Sequence, residues 1–423
     1  MTYRDVASRQ VLTWTVVAIG ARMPVAMAPL ALVFLVRERP GGYTLGAILA
    51  AAYVIGEIVG APLLGMRMRP ERARPHLAAG LATGAVGFAG LGAFPDAHSL
   101  ILAVFAFTAG GAPAAAPGGL RTLLTSLVPE RAVPQALSVE SAQMYGVWAL
   151  SPAVVTGLAL GVAPGLPLLL AAALMAASVA GLWLLPQGWP ADEKDRDGES
   201  MLRILVRAWP VYVTGAASLS LVALAELVLP ALLEQRGIDV GWTGPLLTGF
   251  AIGSVVGAIV YGLRSWPGQL RTRSLLLMCV FTACVALLAL IPGTAWMAVA
   301  LVAAGLLQAS AVLTRNLSLR EVLPQSALAA GYSVMYAAIG AGYAATGSFA
   351  GLLLQVVTPS TAILAGAGLT MVMVLVGAFG ERRIAKRRGG TDQTDQTGED
   401  TAAKTGSGKA DPASTAAGDT DVA

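Results

Sequence analysis

Three ionisable residues stand inside apolar stretches of this chain. Glu57 interrupts Val54-Ile55-Gly56-Glu57-Ile58-Val59, Glu226 interrupts Leu224-Ala225-Glu226-Leu227-Val228, and Arg22 follows Ile19-Gly20-Ala21. A charge at the centre of an apolar helix in a bilayer costs about 2.5–3.5 kcal/mol on insertion scales, so each needs a reason. The chemistry open to them is uptake and release of a proton or a charged ligand, not bond making. Arg22 and Glu57 lie at mid-depth of consecutive apolar stretches, where an ion pair would stabilise the charged carboxylate against desolvation. One reading is an acid whose protonation alternates as a cavity opens to either side. The other is a static ion pair between helices, or an Arg held by backbone carbonyls. Glu226 has no basic residue near it in sequence, and reads either as a second titrating or cation-attracting group or as a residue facing water.

A second set lies nearer the stretch ends. Arg121 and Glu140 are placed to pair across neighbouring helices, and Arg315 with Glu321 (Arg320 between them in the same turn region) occupies the matching part of the second half. Such pairs would close the cytoplasmic side of a cavity, although snorkelling to the interface also suits the arginines. The polar side chains left to line an apolar cavity are Gln143, Tyr145, Trp148, Gln308, Tyr332 and Tyr336. A site of that composition suits a substrate with few hydrogen-bonding groups.

The elements carrying these residues follow from composition. The chain is 56% hydrophobic and 12% charged with mean hydropathy +0.70, which excludes an ordinary soluble domain of this length. Apolar runs of about 20 residues are long enough to cross a bilayer as helix. Twelve are expected, at 11–36, 43–66, 77–94, 99–120, 136–162, 165–186, 204–233, 243–263, 274–291, 294–314, 325–356 and 360–379. Because backbone groups in lipid must bond internally, and no period-2 pattern is present, the expected fold is an all-α polytopic membrane protein.

The chain repeats itself. Residues 55–67 align with 252–264 at a spacing of 197, with seven of thirteen positions identical, including every Gly and the closing Arg. Two pseudo-symmetric six-helix halves in parallel order are implied, 1–186 and 204–380, joined by a charged linker at 187–203 and followed by a disordered tail at 381–423. Of 28 Lys and Arg residues, 24 fall on the side of both termini. The positive-inside rule therefore puts both termini in the cytoplasm and explains the basic pI without nucleic acid.

Other motifs lack their context. Lys404-Thr405-Gly406-Ser407-Gly408-Lys409 follows no strand and lacks the leading Gly and final Ser/Thr of a phosphate loop; Asn316-Leu317-Ser318 is a glycosylation sequon on the cytoplasmic side. His76 and His98 form no ligand cluster, and Cys279 and Cys284 read as buried apolar residues, so neither a metal nor a cofactor is expected.

With twelve spans, parallel halves and a charged central loop, residues 9–382 resemble the major facilitator superfamily. Arg22-Met23-Pro24-Val25-Ala26-Met27-Ala28-Pro29 is similar to the first helix of an actinobacterial group of drug or metabolite exporters. Arg69 stands where the superfamily usually has an acid after the second span, and the usual Arg within the fourth span is missing from Phe105-Ala106-Phe107-Thr108-Ala109-Gly110. The resemblance implies a monomeric, non-enzymatic transporter of the plasma membrane, exporting a hydrophobic or amphipathic small molecule against protons. Import or facilitated passage of a small polar metabolite is the alternative, and a non-transporting receptor or scaffold a second one.

Overall fold

The computed structural model describes residues 8–189, 199–264 and 266–406, with side chains described as far as Ile384. The described residues fold into helices and short turns, without a strand. The first half comprises α1 (Arg9–Val36), α2 (Gly42–Arg67), α3 (Ala73–Ala93), α4 (Ser99–Gly111), α5 (Ala116–Ser126), α6 (Val133–Gly161) and α7 (Leu166–Leu182). After α8 (Met201–Arg207) the second half comprises α9 (Trp209–Gln235), α10 (Thr243–Leu263), α11 (Leu270–Leu290), α12 (Thr294–Val322), α13 (Leu328–Leu353) and α14 (Pro359–Gly406). The chain divides into compact units between Ala378 and Phe379, and all the packing described below lies in the first.

Ten of these stretches are long and apolar enough to cross a membrane, with α7 a shorter apolar helix. Helix α13, the expected eleventh span, is not among the ten; it carries Tyr332, Ser333, Tyr336 and Tyr343 and packs on α2 and α5 of the other half. Helices alternate in direction, so one end of the bundle gathers the ends of α2, α5, α7, α10 and α12 with Arg67, Arg69, Arg72, Arg264 and Arg320. It is called the basic end below.

Two boundaries differ from expectation for a stated reason. The fourth span is not one helix over 99–120: Pro113 and Pro117 break it into α4 and α5, and α5 runs on to Ser126. Arg121, expected to close that span, therefore lies more than a turn inside it. The seventh span does not begin at 204, because Pro210 starts α9 afresh and leaves α8 as a separate turn packed on Tyr212 and Leu323. The linker is anchored at its start, where Arg74 N–H donates to the Gln187 carbonyl at 2.8 Å and Trp189 is buried. Its residues 190–198 lie outside those described. Of the tail expected to be disordered, 381–406 continue α14 and 407–423 lie outside the described residues.

The sequence repeat has a structural meaning. Gly56 and Gly60 of α2 let the backbone of α4 approach at Phe107 and Gly111; Gly253 and Gly257 of α10 admit α12 at Val302 and Leu306. The contacts are reciprocal, with Gly110 against the Tyr53 backbone and Gly305 against that of Phe250. A Cβ at any of the four repeat glycines would collide with a main-chain carbonyl, so the conserved spacing builds one helix pair twice. One buried cluster, around Trp14, Tyr53 and Phe88, takes in most of the first half and reaches across to Ala258, Tyr261, Ala309 and Leu313; another, around Phe250, Met278 and Phe281, lies in the second half. The halves meet along α2–α13, α5–α13 and α6–α10.

Candidate functional site

Five side chains form a buried polar line across the seam between the halves, toward the basic end. Glu140 sits seven residues into α6, about 10 Å from that end at 1.5 Å per residue, and is fully buried. Arg121 of α5 donates through Nε to both its carboxylate oxygens, at 2.9 and 2.7 Å. Arg22 of α1 donates to Glu140 Oε1 through Nη2. Arg121 Nη1 also crosses the seam to Asn316 Oδ1 of α12 at 3.1 Å, and its guanidinium lies 5.2 Å from the Tyr332 ring centre. Tyr332 in turn donates to the Asn316 carbonyl at 3.3 Å.

Local geometry explains why Arg22 pairs as it does. Side chains of a helix lean toward its N-terminus, so Arg22 reaches down α1 toward Trp14, whose ring centre lies 5.6 Å away. Helix α6 runs parallel to α1 and presents Glu140 at that depth. The expected Arg22–Glu57 pair is therefore absent, while the expected Arg121–Glu140 pair is present.

Glu57 instead faces two tyrosines. Tyr53, one turn away on α2, donates at 3.4 Å, and Tyr336 of α13 donates from the other half at 3.5 Å. Both distances exceed the usual 2.5–3.0 Å for hydroxyl donors, so the carboxylate is loosely held. A further bridge joins the halves at mid-depth, where Tyr145 of α6 donates to Gln308 Oε1 of α12 at 2.6 Å. Ser138 of α6 donates to the Ala258 carbonyl of α10 nearer the basic end.

The remaining expected site residues are dispersed. Glu226 lies in the part of α9 far from the basic end, half-buried, and accepts from Tyr343 of α13 at 3.0 Å. It does not join Glu57 and Arg22. Gln143 is turned to α1, donating to the Thr15 carbonyl at 3.1 Å, and Trp148 is 51% exposed on α6. Tyr332 belongs with the Arg121 contact rather than with a mid-depth cavity. Arg315 donates to Thr214 at 3.0 Å and Ser318 at 3.3 Å, and Glu321 is exposed on the last turn of α12. The basic-end surface contact across the seam is made by Arg320, whose Nη2 reaches both oxygens of Glu130 at 2.9 Å.

Asn316, Tyr53, Glu130 and Tyr343 were not among the expected site residues. A charge in an apolar run is visible in sequence; a neutral Asn or Tyr that receives it is not. No group of three or more His, Cys, Asp or Glu suited to a metal occurs among the described residues.

This arrangement places charged and hydroxyl groups on a seam between two related six-helix bundles. The Major Facilitator Superfamily model matches residues 14–269, more than half the chain. The chain belongs to the major facilitator superfamily. A second model of the superfamily, described as the uncharacterised MFS-type transporter YbfB, matches 223–405. No curated protein matches significantly in sequence. Among solved structures, the chain is similar to the human organic anion transporter MFSD10 (TM-score 0.68, 12% identity, covering 88% of this chain and 98% of that one). It is also similar to the transporter FucP in its outward conformation (0.67, 15%, 89% and 99%) and to an outward-facing bacterial homologue of the iron transporter ferroportin (0.67, 13%, 89% and 98%). At these identities the likeness is one of fold. The chain is thus an integral, multi-pass membrane protein of a family of transporters, not enzymes.

Proposed function

We propose that this protein is a secondary active transporter that exposes a site between its halves to one side of the membrane and then the other, exporting an amphipathic small molecule in exchange for protons. The observation carrying the reading is Glu57: a carboxylate on the seam, held by one hydroxyl from each half. A group so placed changes its surroundings whenever the halves rock, which is what coupling of protonation to movement requires. The contacts across the seam described above run from mid-depth to the basic end. With the positive-inside rule putting that end in the cytoplasm of a plasma-membrane protein, the state is closed inward. Glu226 with Tyr343 lies on the outward route as a second point of contact for a proton or a cationic group. Export, and the superfamily group of drug or metabolite exporters, rest on the resemblance of the first helix.

The test is transport in proteoliposomes containing the whole chain, with a panel of amphipathic dyes and antibiotics. Under an imposed proton gradient, wild type is expected to move at least one dye, and Glu57→Gln to lose gradient-driven movement while keeping exchange without a gradient. Gradient-driven transport by Glu57→Gln at the wild-type rate would remove Glu57 from coupling. Passage indifferent to the gradient in wild type would favour a facilitator.

A further inference from the structure

The buried cluster of Arg22, Arg121 and Glu140 carries two positive charges and one negative. All three are nine-tenths or more buried, at 7%, 9% and 0% exposure, where uncompensated charge is costly. The surplus has a definite location. Arg121 is used on both sides, by Glu140 and by Asn316, whereas Arg22 makes one bond through Nη2 and its Nη1 has no hydrogen-bond partner among the described residues. Glu57, the other carboxylate at this level, bonds to Tyr53 and Tyr336 rather than to Arg22.

Arg22 is also the partner Glu140 can spare. Both carboxylate oxygens already accept from Arg121 Nε, so Arg22 can swing away without leaving the carboxylate orphaned. Toward mid-depth the surroundings turn mixed, with the Tyr145–Gln308 bridge on one side and Tyr336 on the other. Gly146 and Gly340, beside Tyr145 and one turn beyond Tyr336, would each meet nothing within 4 Å if they carried a Cβ.

We propose that the site between the halves takes a singly charged organic anion, its carboxylate or sulfonate bound by the free edge of the Arg22 guanidinium and its apolar body lying beyond, toward mid-depth. One surplus charge sets the ligand at a monoanion. A planar guanidinium edge suits a carboxylate. The inference rests on the seam being the transport site, and specifies the charge of the substrate; it does not depend on direction or proton coupling.

The test measures binding, so it stands apart from any transport failure. The whole protein in nanodiscs at physiological salt is titrated with three probes of one shape: 1-naphthoate, 1-naphthalenemethanol and 1-naphthylmethylammonium. Each is corrected against empty nanodiscs. Naphthoate is expected to bind about tenfold or more tighter than the alcohol, the gain of one charge-assisted hydrogen bond. The cation should bind no better than the alcohol. Arg22→Gln should remove the anion preference while Arg22→Lys keeps part of it. The wild-type comparison needs no variant, so a misfolded mutant cannot rescue the idea. Equal binding of the three, tightest binding of the cation, or a preference that survives in well-folded Arg22→Gln would each overturn it. Equal binding would mean that Arg22 Nη1 serves only a buried water. Anion binding by a protein that moves nothing in proteoliposomes would leave the subsite standing and sink the transport reading.

Discussion

At the scale of single residues, the two charges that meet Glu140 differ in what their partner loses. Replacing Glu140 with Gln strands two buried guanidiniums. Breaking a buried ion pair from one side costs about 3–5 kcal/mol, so Glu140→Gln should lower stability by that order in a denaturant titration of purified protein. Arg22→Gln leaves Glu140 with both Arg121 bonds and should cost markedly less. Equal losses would mean that Arg22, not Arg121, is the main counter-charge. The same contrast shows what the sequence revealed. Glu57 and Arg22 were visible because charge in an apolar run is costly wherever it occurs. Their partners were not, because pairing depends on depth: parallel helices α1 and α6 bring position 22 to 140 through an N-terminal lean of the Arg side chain. Sequence order pointed instead to the adjacent antiparallel α2.

At the scale of elements, glycine has two opposite roles that one substitution separates. Gly257 of α10 faces the Leu306 backbone of α12, and Gly60 of α2 faces Gly111 of α4, so a methyl group at either must push two helices apart. Overpacking of this kind costs about 1–3 kcal/mol, and Gly60→Ala and Gly257→Ala should lose similar stability because the repeat builds the same contact twice. Gly351 of α13 has nothing within 4 Å of where a Cβ would stand. There Ala should be neutral or gain up to about 1 kcal/mol from helix propensity. Thermal unfolding of the three variants in one detergent checks the signs; a loss at Gly351 equal to that at Gly257 would refute the packing explanation. This level was the most legible, because a Gly-x-x-x-Gly spacing repeated 197 residues on states a periodic contact. The break between α4 and α5 was missed although Pro113 and Pro117 signal it, since apolar composition continues across them. That break moved Arg121 from a helix end into the buried cluster.

At the scale of the whole molecule, the balance between states should turn on what holds the halves together at the basic end. Two contacts there differ in kind. Arg320–Glu130 is a surface ion pair, with Glu130 largely exposed, and such pairs contribute about 0–1 kcal/mol. Arg121–Asn316 is buried, and a hydrogen bond to a charged group is worth about 1.5–3 kcal/mol, roughly a tenfold to hundredfold shift between two states. Asn316 is therefore the sensitive position. Asn316→Ala should favour the state open at the basic end, whereas Asn316→Asp would set a carboxylate against Arg121 across the seam and hold that end shut. Spin labels at Ser99→Cys and Ala295→Cys, both exposed and at the far end of opposite halves, report the change as a distance. The Ala variant should populate a shorter distance than wild type, and the Asp variant should keep the longer one with slower turnover. If instead Glu130→Ala shifts the distances more than Asn316→Ala does, the surface pair holds the end closed, and the buried line is scaffolding for Arg22 rather than a latch.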